Sequence, residues 1–159
     1  PLQLPIPDEH PCLDRDGYGF SKFLMEEITR YYARQNPAIG VINLRLSTVC
    51  PDDRLPAPAR VRPLGQWALG GITIMALSDA VRAFTLAIES DLRPGVRIMN
   101  AVGPQAWVAD PVADILRGWY GDAVDLSFFT QPGHEYASVY EHTRIREELG
   151  FVAEVLPPR

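Results

Sequence analysis

Tyr18 and Lys22 are the residues of this chain whose types and spacing suit proton-transfer chemistry. Residues four apart on a helix are neighbours on one face, so the Lys22 ammonium can sit beside the Tyr18 phenol. A cation held there favours phenolate over phenol and lowers a pKa that starts near roughly 10, moving a poor general base towards neutral pH. Such a pair is common in amphipathic helices, so its surroundings decide what it means.

The elements that must position the pair follow from period and punctuation. Asp16 is a suitable N-cap, apolar residues recur at Phe20, Leu24, Ile28 and Tyr31/Tyr32, and Asn36-Pro37 ends the run. Glu26 and Arg30 are spaced as an i,i+4 ion pair. This predicts a helix of about five turns, with Tyr18 exposed in its first turn while the rest of the helix packs. Ile39 to Leu46, short, apolar and rich in branched residues, predicts a buried strand of a parallel sheet. Ligands of open parallel sheets sit beyond the carboxyl ends of strands. That puts Leu46-Ser47-Thr48-Val49-Cys50-Pro51 at the ligand crevice.

The rest of the chain alternates in the same way. Pro1 to Arg15 reads as an irregular, proline-rich segment. Asp52 to Pro63 reads as a solvated loop whose Arg54, Arg60 and Arg62 suit an anionic substrate. A short turn over Leu64 to Leu69 leads into a strand over Ile72 to Leu77. Ser78 then caps a helix with an apolar face of Val81, Phe84, Leu86/Ala87 and Ile88. Val96 to Gly103 is a further strand. Asp110 and Pro111 open a helix that turns Val112, Ile115, Leu116 and Trp119 inward. Ala123 to Phe129 alternates like a half-buried strand, and a last helix, Glu141 to Leu149, stops at Gly150.

With 159 residues the chain can bury a real core. Its net charge of -5 argues against a nucleic-acid-binding surface, which would be basic. No apolar run approaches the roughly 18 residues of a membrane span, and no signal peptide opens the chain, so the expected location is cytoplasmic. Cys12 and Cys50 are too few for a disulfide framework, and with His10, His134 and His142 they form no metal-ligand pattern.

Several motifs, in order along almost the whole chain, resemble the extended short-chain dehydrogenase/reductase family, the NAD-dependent epimerase/dehydratase group. Tyr18-Gly-Phe-Ser-Lys22 with Glu26 is similar to the Tyr-x-x-x-Lys helix, and Leu4 to Pro11 to the loop leading into it. Leu44 to Pro51 resembles a strand and loop usually close to Leu-Arg-Pro-x-Asn-Val-Tyr, with Leu46, Thr48 and Cys50 at the Pro, Asn and Tyr positions. Ala76 to Phe84 resembles the Val-x-Val-x-Asp-Val-Ala-x-Ala segment, without the Arg-Asp-Phe that often precedes it. Val96 to Gly103 and Thr143 to Phe151 match the late strand and the closing helix.

The resemblance implies an α/β fold: the C-terminal part of a Rossmann-type parallel sheet with flanking helices, plus a small α+β substrate-binding region. Residues 1–51 would end the Rossmann-type domain, and 52–159 would be mainly substrate-binding, with some elements returning to the Rossmann sheet. It implies Tyr18 as general acid/base and Lys22 as its assistant and a partner of the nicotinamide ribose, with NAD or NADP as cofactor. Leu46 and Val49 would line the nicotinamide pocket, and Ser47 and Thr48 would face a sugar-like or other hydroxylated substrate. The glycine-rich phosphate turn and the catalytic Ser/Thr of the family have no counterpart here, and the chain opens on Pro1 in what reads as mid-fold. The expectation is therefore a truncated, C-terminal half that is inactive alone and forms a homo-oligomer, most simply a dimer through the Tyr18 helix. The alternative is a non-catalytic fragment or dimerisation module of the same fold. Neither nucleic acid nor membrane is an expected partner.

Overall fold

The computed structural model describes residues 1–60, 69–91 and 93–158. In chain order the elements are α1 (Gly17–Gln35), β1 (Gly40–Leu46), β2 (Thr48–Cys50), β3 (Ile74–Ala76), α2 (Leu77–Glu89), β4 (Gly95–Ala101), α3 (Val112–Tyr120) and α4 (Thr143–Leu149). Single 3-10 turns occupy Asp52–Arg54, Leu69–Ile72 and Ser127–Thr130. Two parallel pairs carry the architecture. β1 runs with β4, from Gly40 opposite Gly95 to Leu46 opposite Ala101, and β2 runs with β3.

Alternation along β1 separates two helix layers. Ile42 and Leu44 pack into a core with Met99 and Ala101 of β4, Ala80 and Ala83 of α2, Ile145 and Leu149 of α4, and Phe151. Asn43 and Arg45 take the other face and bond to α1. A second core joins Leu4 and Ile6 to Ile72, Val108, Val112, Ile115, Leu116, Leu126, Phe129 and Val139.

The strands at 40–46 and 95–101, and the helices at 17–35 and 143–149, fall where the sequence predicts them. Gly150 closes α4 at φ 69°, a left-handed position that favours glycine. Val112, Ile115 and Leu116 are buried, and Trp119 packs half-buried on the same core.

Several expectations are corrected. The apolar stripe of α1 is not packed. Gly19 is the helix's one buried residue, and Phe20, Leu24, Ile28, Tyr31 and Tyr32 are all exposed. Asn43 and Arg45 of β1 are polar and hold α1 through hydrogen bonds. β1 itself is half-buried, with one edge unpaired among the described residues.

On α2 the buried positions are Asp79, Ala80 and Ala83, whose small neighbours let the helix approach the sheet, while Val81, Phe84 and Ile88 face out. Ser78 is not its cap. The helix starts at Leu77, and the Ser78 backbone N–H is donated to Asp52 Oδ1 at 3.0 Å. Helix α3 begins at Val112 with Pro111 in the capping position, one residue after the expected Asp110. Residues 123–129 are not a strand. Leu126 and Phe129 reach the core three residues apart, the period of the 3-10 turn that Asp125 opens by accepting the Ser127 N–H at 2.9 Å. Of the expected turn at 64–69, all but Leu69 lies outside the described residues.

Candidate active site at the end of the first strand

The first turn of α1 is fixed from three sides. Asp16 Oδ1 accepts the Gly19 N–H at 2.8 Å, as an N-cap does. Cys12 Sγ lies 3.8 Å from Gly19 O. A Cβ at Gly19 would come within 2.2 Å of Asp14 Cβ, so glycine is what lets the preceding loop press against the helix. Tyr18 projects from this turn, 74% exposed. Lys22 Nζ lies 5.1 Å from the centroid of the Tyr18 ring, a cation–π arrangement, and 4.0 Å from Met25 Sδ. The two predicted catalytic residues are thus neighbours.

Their height over the sheet follows from two contacts. Arg45 Nε and one terminal nitrogen donate to the two carboxylate oxygens of Glu26 at 2.7 and 3.0 Å. Asn43 Nδ2 donates to Thr29 Oγ1 at 2.9 Å. Helix and strand therefore run antiparallel. Lys22 lies about 6 Å along α1 from Glu26, and Ser47 about 6 to 7 Å along the strand from Arg45. Lys22, and Tyr18 a turn further, stand at the carboxyl end of β1.

Leu46 is 40% exposed there. Ser47 donates its N–H to Ala101 O at 3.3 Å, while its Oγ is buried without a partner among the described residues. Thr48 bonds to Thr73 O through its N–H at 3.0 Å, and its hydroxyl donates to Gly70 O at 2.8 Å. Val49 is half-buried against the core of β1, β4, α2 and α4. Arg54 is exposed beside Asp53 at 4.0 Å, Arg60 is exposed, and Arg62 lies outside the described residues.

The polar framework below this end was not anticipated. Asp8 is buried, takes the backbone N–H of Asn100 at 2.6 Å and lies 3.9 Å from Arg144 Nε. Burial raises its carboxyl above the usual range, against the opposing pull of that N–H and of Arg144. Arg45 also donates to Asp8 O at 3.1 Å, and its hydrogen bonds to Glu26 raise its own pKa further. Glu26 therefore answers chiefly to Arg45; its expected partner Arg30 is 4.0 Å away and pairs more closely with Glu27. The signal in the sequence was an arginine inside a mostly apolar strand, which calls for a partner carboxylate.

Parallel strands with helices on both faces and a candidate site at the strands' carboxyl ends make this a Rossmann-like α/β fold. Among solved structures it is similar to UDP-glucose 4-epimerase from the hyperthermophilic eubacterium Thermotoga maritima, determined with UDP-glucose. The TM-score is 0.55 at 17% sequence identity, over 96% of this chain and 53% of that one. The chain thus spans about half the length of that protein. No protein-family description and no curated protein matches it. Among the described residues, no helix is long and apolar enough to cross a membrane.

Proposed function

We propose that this chain provides the substrate side of an NAD(P)-dependent oxidoreductase, epimerase or dehydratase acting on a sugar-like or other hydroxylated substrate. The observation that carries the reading is the placement of the Tyr18/Lys22 pair at the carboxyl end of β1. Tyr18 Oη takes a proton from a substrate hydroxyl, or returns it, with Lys22 as the cation beside it. A bound NAD or NADP supplies the hydride acceptor. The residues fit the ribose and nicotinamide end of such a group: Lys22 would meet the ribose hydroxyls, exposed Leu46 and half-buried Val49 the ring, and the unpartnered Ser47 Oγ, with Thr48, the polar groups beside it. Nothing among the described residues fits the pyrophosphate, which needs a glycine-rich turn between a strand and a helix. On this reading residues 1–51 close a Rossmann-type domain whose phosphate-binding half lies outside the sequence, and 52–159 are mainly substrate-binding, with β4 and its flanking helices returning to the sheet.

The test is Tyr18→Phe in the enzyme that contains the cofactor-binding half. Turnover falls by orders of magnitude while cofactor affinity, read by calorimetry, is retained; a nearly normal rate overturns the assignment. The second reading, a non-catalytic dimerisation module, is supported by the eight large apolar side chains that α1 leaves exposed, from Tyr18 to Tyr32. An enzyme whose rate is indifferent to Tyr18 but whose association depends on α1 would favour it.

A further inference from the structure

Helix α1 carries the candidate acid/base pair but has almost no apolar grip on the sheet, since Gly19 is its single buried residue. Apolar contact is non-directional and tolerates sliding. A helix held this way would leave the height of Tyr18 and Lys22 undefined. Beside the Asn43–Thr29 hydrogen bond, what defines it is a fork. Both carboxylate oxygens of Glu26 are engaged by Arg45, at 2.7 and 3.0 Å, and bidentate pairing fixes orientation as well as distance. The side chains are 14% and 29% exposed, so water competes weakly. Arg45 is itself braced. Its remaining terminal nitrogen donates to Asp8 O, and Asp8 is tied to the β4 backbone at Asn100. Strand, approach loop and helix therefore meet at one guanidinium.

We infer that Glu26 and Arg45 are positioning residues that set the height of the Tyr18/Lys22 helix over the carboxyl end of β1. The inference takes the importance of that height from the reading of Tyr18 and Lys22 above. Its geometric content stands without any cofactor or substrate.

The experiment measures position directly in the 159-residue chain. In a Cys12→Ser, Cys50→Ser background, nitroxide labels are attached at Ser21→Cys on α1 and Asp53→Cys beyond β2, both exposed. The distance distribution is read by pulsed electron paramagnetic resonance. A second pair, Thr85→Cys on α2 with Asp53→Cys, serves as reference. Arg45→Lys keeps the charge and removes the fork, and Glu26→Gln keeps the shape and removes the charge. The expected result is that each shifts or broadens the Ser21 to Asp53 distance by about 3 Å or more, two residues of helical rise, with the reference distance unchanged. Restoration by the exchanged pair, Glu26→Arg with Arg45→Glu, supports a positional role over general weakening. An unchanged Ser21 distance in a folded single variant overturns the inference, as does a reference distance that moves equally. If Arg45→Lys does not fold, Glu26→Gln decides alone. A normal rate in Tyr18→Phe would sink the catalytic reading and leave this result standing.

Discussion

Arg45 on β1 grips both carboxylate oxygens of Glu26 on α1, 19 positions earlier in the chain, while the neighbouring Arg30–Glu27 pair lies along the helix surface. The two pairs have the same charges and different surroundings, so they differ in worth. Arg45→Ala leaves a largely buried carboxylate without its partner and costs on the order of 3 kcal/mol. Arg30→Ala, at a half-exposed pair, costs under about 1 kcal/mol. Urea unfolding of the two variants checks this; equal losses would show that the Arg45 contact is no more than a surface pair.

Asp79 is predicted to be the more severe loss. Its carboxylate is 2% exposed and accepts the N–H groups of Glu154 and Val155 at 3.0 to 3.1 Å, and Arg82 donates to it at 2.8 Å. The acid thus fastens the C-terminal segment to the start of α2, where a run of exposed apolar residues contributes little grip. Asp79→Ala removes the acceptor of two part-buried N–H groups and of one Arg82 contact at a buried position, for about 3 kcal/mol. Hydrogen exchange should show residues 151–155 losing protection before β4 does. Protection that falls uniformly would contradict the local role.

Much of this was legible in the sequence where the signal is local. Gly150 ends a helix because its own backbone conformation demands it, and the runs at 40–46 and 95–101 read as strands from their branched residues. Period, however, reports which side of a helix is apolar and not whether anything covers it. That is why the Phe20, Leu24, Ile28 stripe is exposed while Asn43 and Arg45 hold the opposite side. The 123–129 segment failed for a different reason: over so few residues Leu126 and Phe129 satisfy a three-residue period as well as an approximate alternation. Of the candidate site, Tyr18 and Lys22 were visible as a spacing. Asp8 was not, since its partner Asn100 lies 92 residues away and only the fold brings them together.

Asp8 also gives a pH dependence of definite sign. Burial raises its folded-state pKa above the ordinary 3.8, so the protonated acid is the form the fold prefers. Its contribution is fully present below the unfolded-state pKa and is lost as pH rises through the folded-state value. Asp8→Asn keeps an oxygen for the Asn100 N–H and has no charge to lose. Relative to the parent chain, the variant should therefore gain stability between pH 3.5 and pH 7, measured by denaturant midpoints at each pH. A relative loss over that interval would mean that Arg144 and the N–H outweigh burial.

The exposed faces predict self-association, and their sizes predict where. Helix α1 presents eight large apolar side chains to solvent, from Tyr18 to Tyr32, and α2 presents four, Leu77, Val81, Phe84 and Ile88. Contiguous exposed apolar surface of this kind is normally covered by a partner, and two antiparallel copies of α1 would bury the larger stripe against itself. We expect a concentration-dependent dimer in sedimentation velocity. Met25→Glu with Ile28→Glu, which places four carboxylates in the self-paired interface, should shift it to monomer at tens of micromolar protein, whereas Phe84→Glu with Ile88→Glu should leave most of it intact. The reverse pattern would assign the interface to α2 and the groove it forms with Ile42 and Leu44 at the open edge of β1. Dissociation by both pairs of substitutions equally would indicate non-specific apolar clustering, and α1 would then lose its claim as the dimer helix.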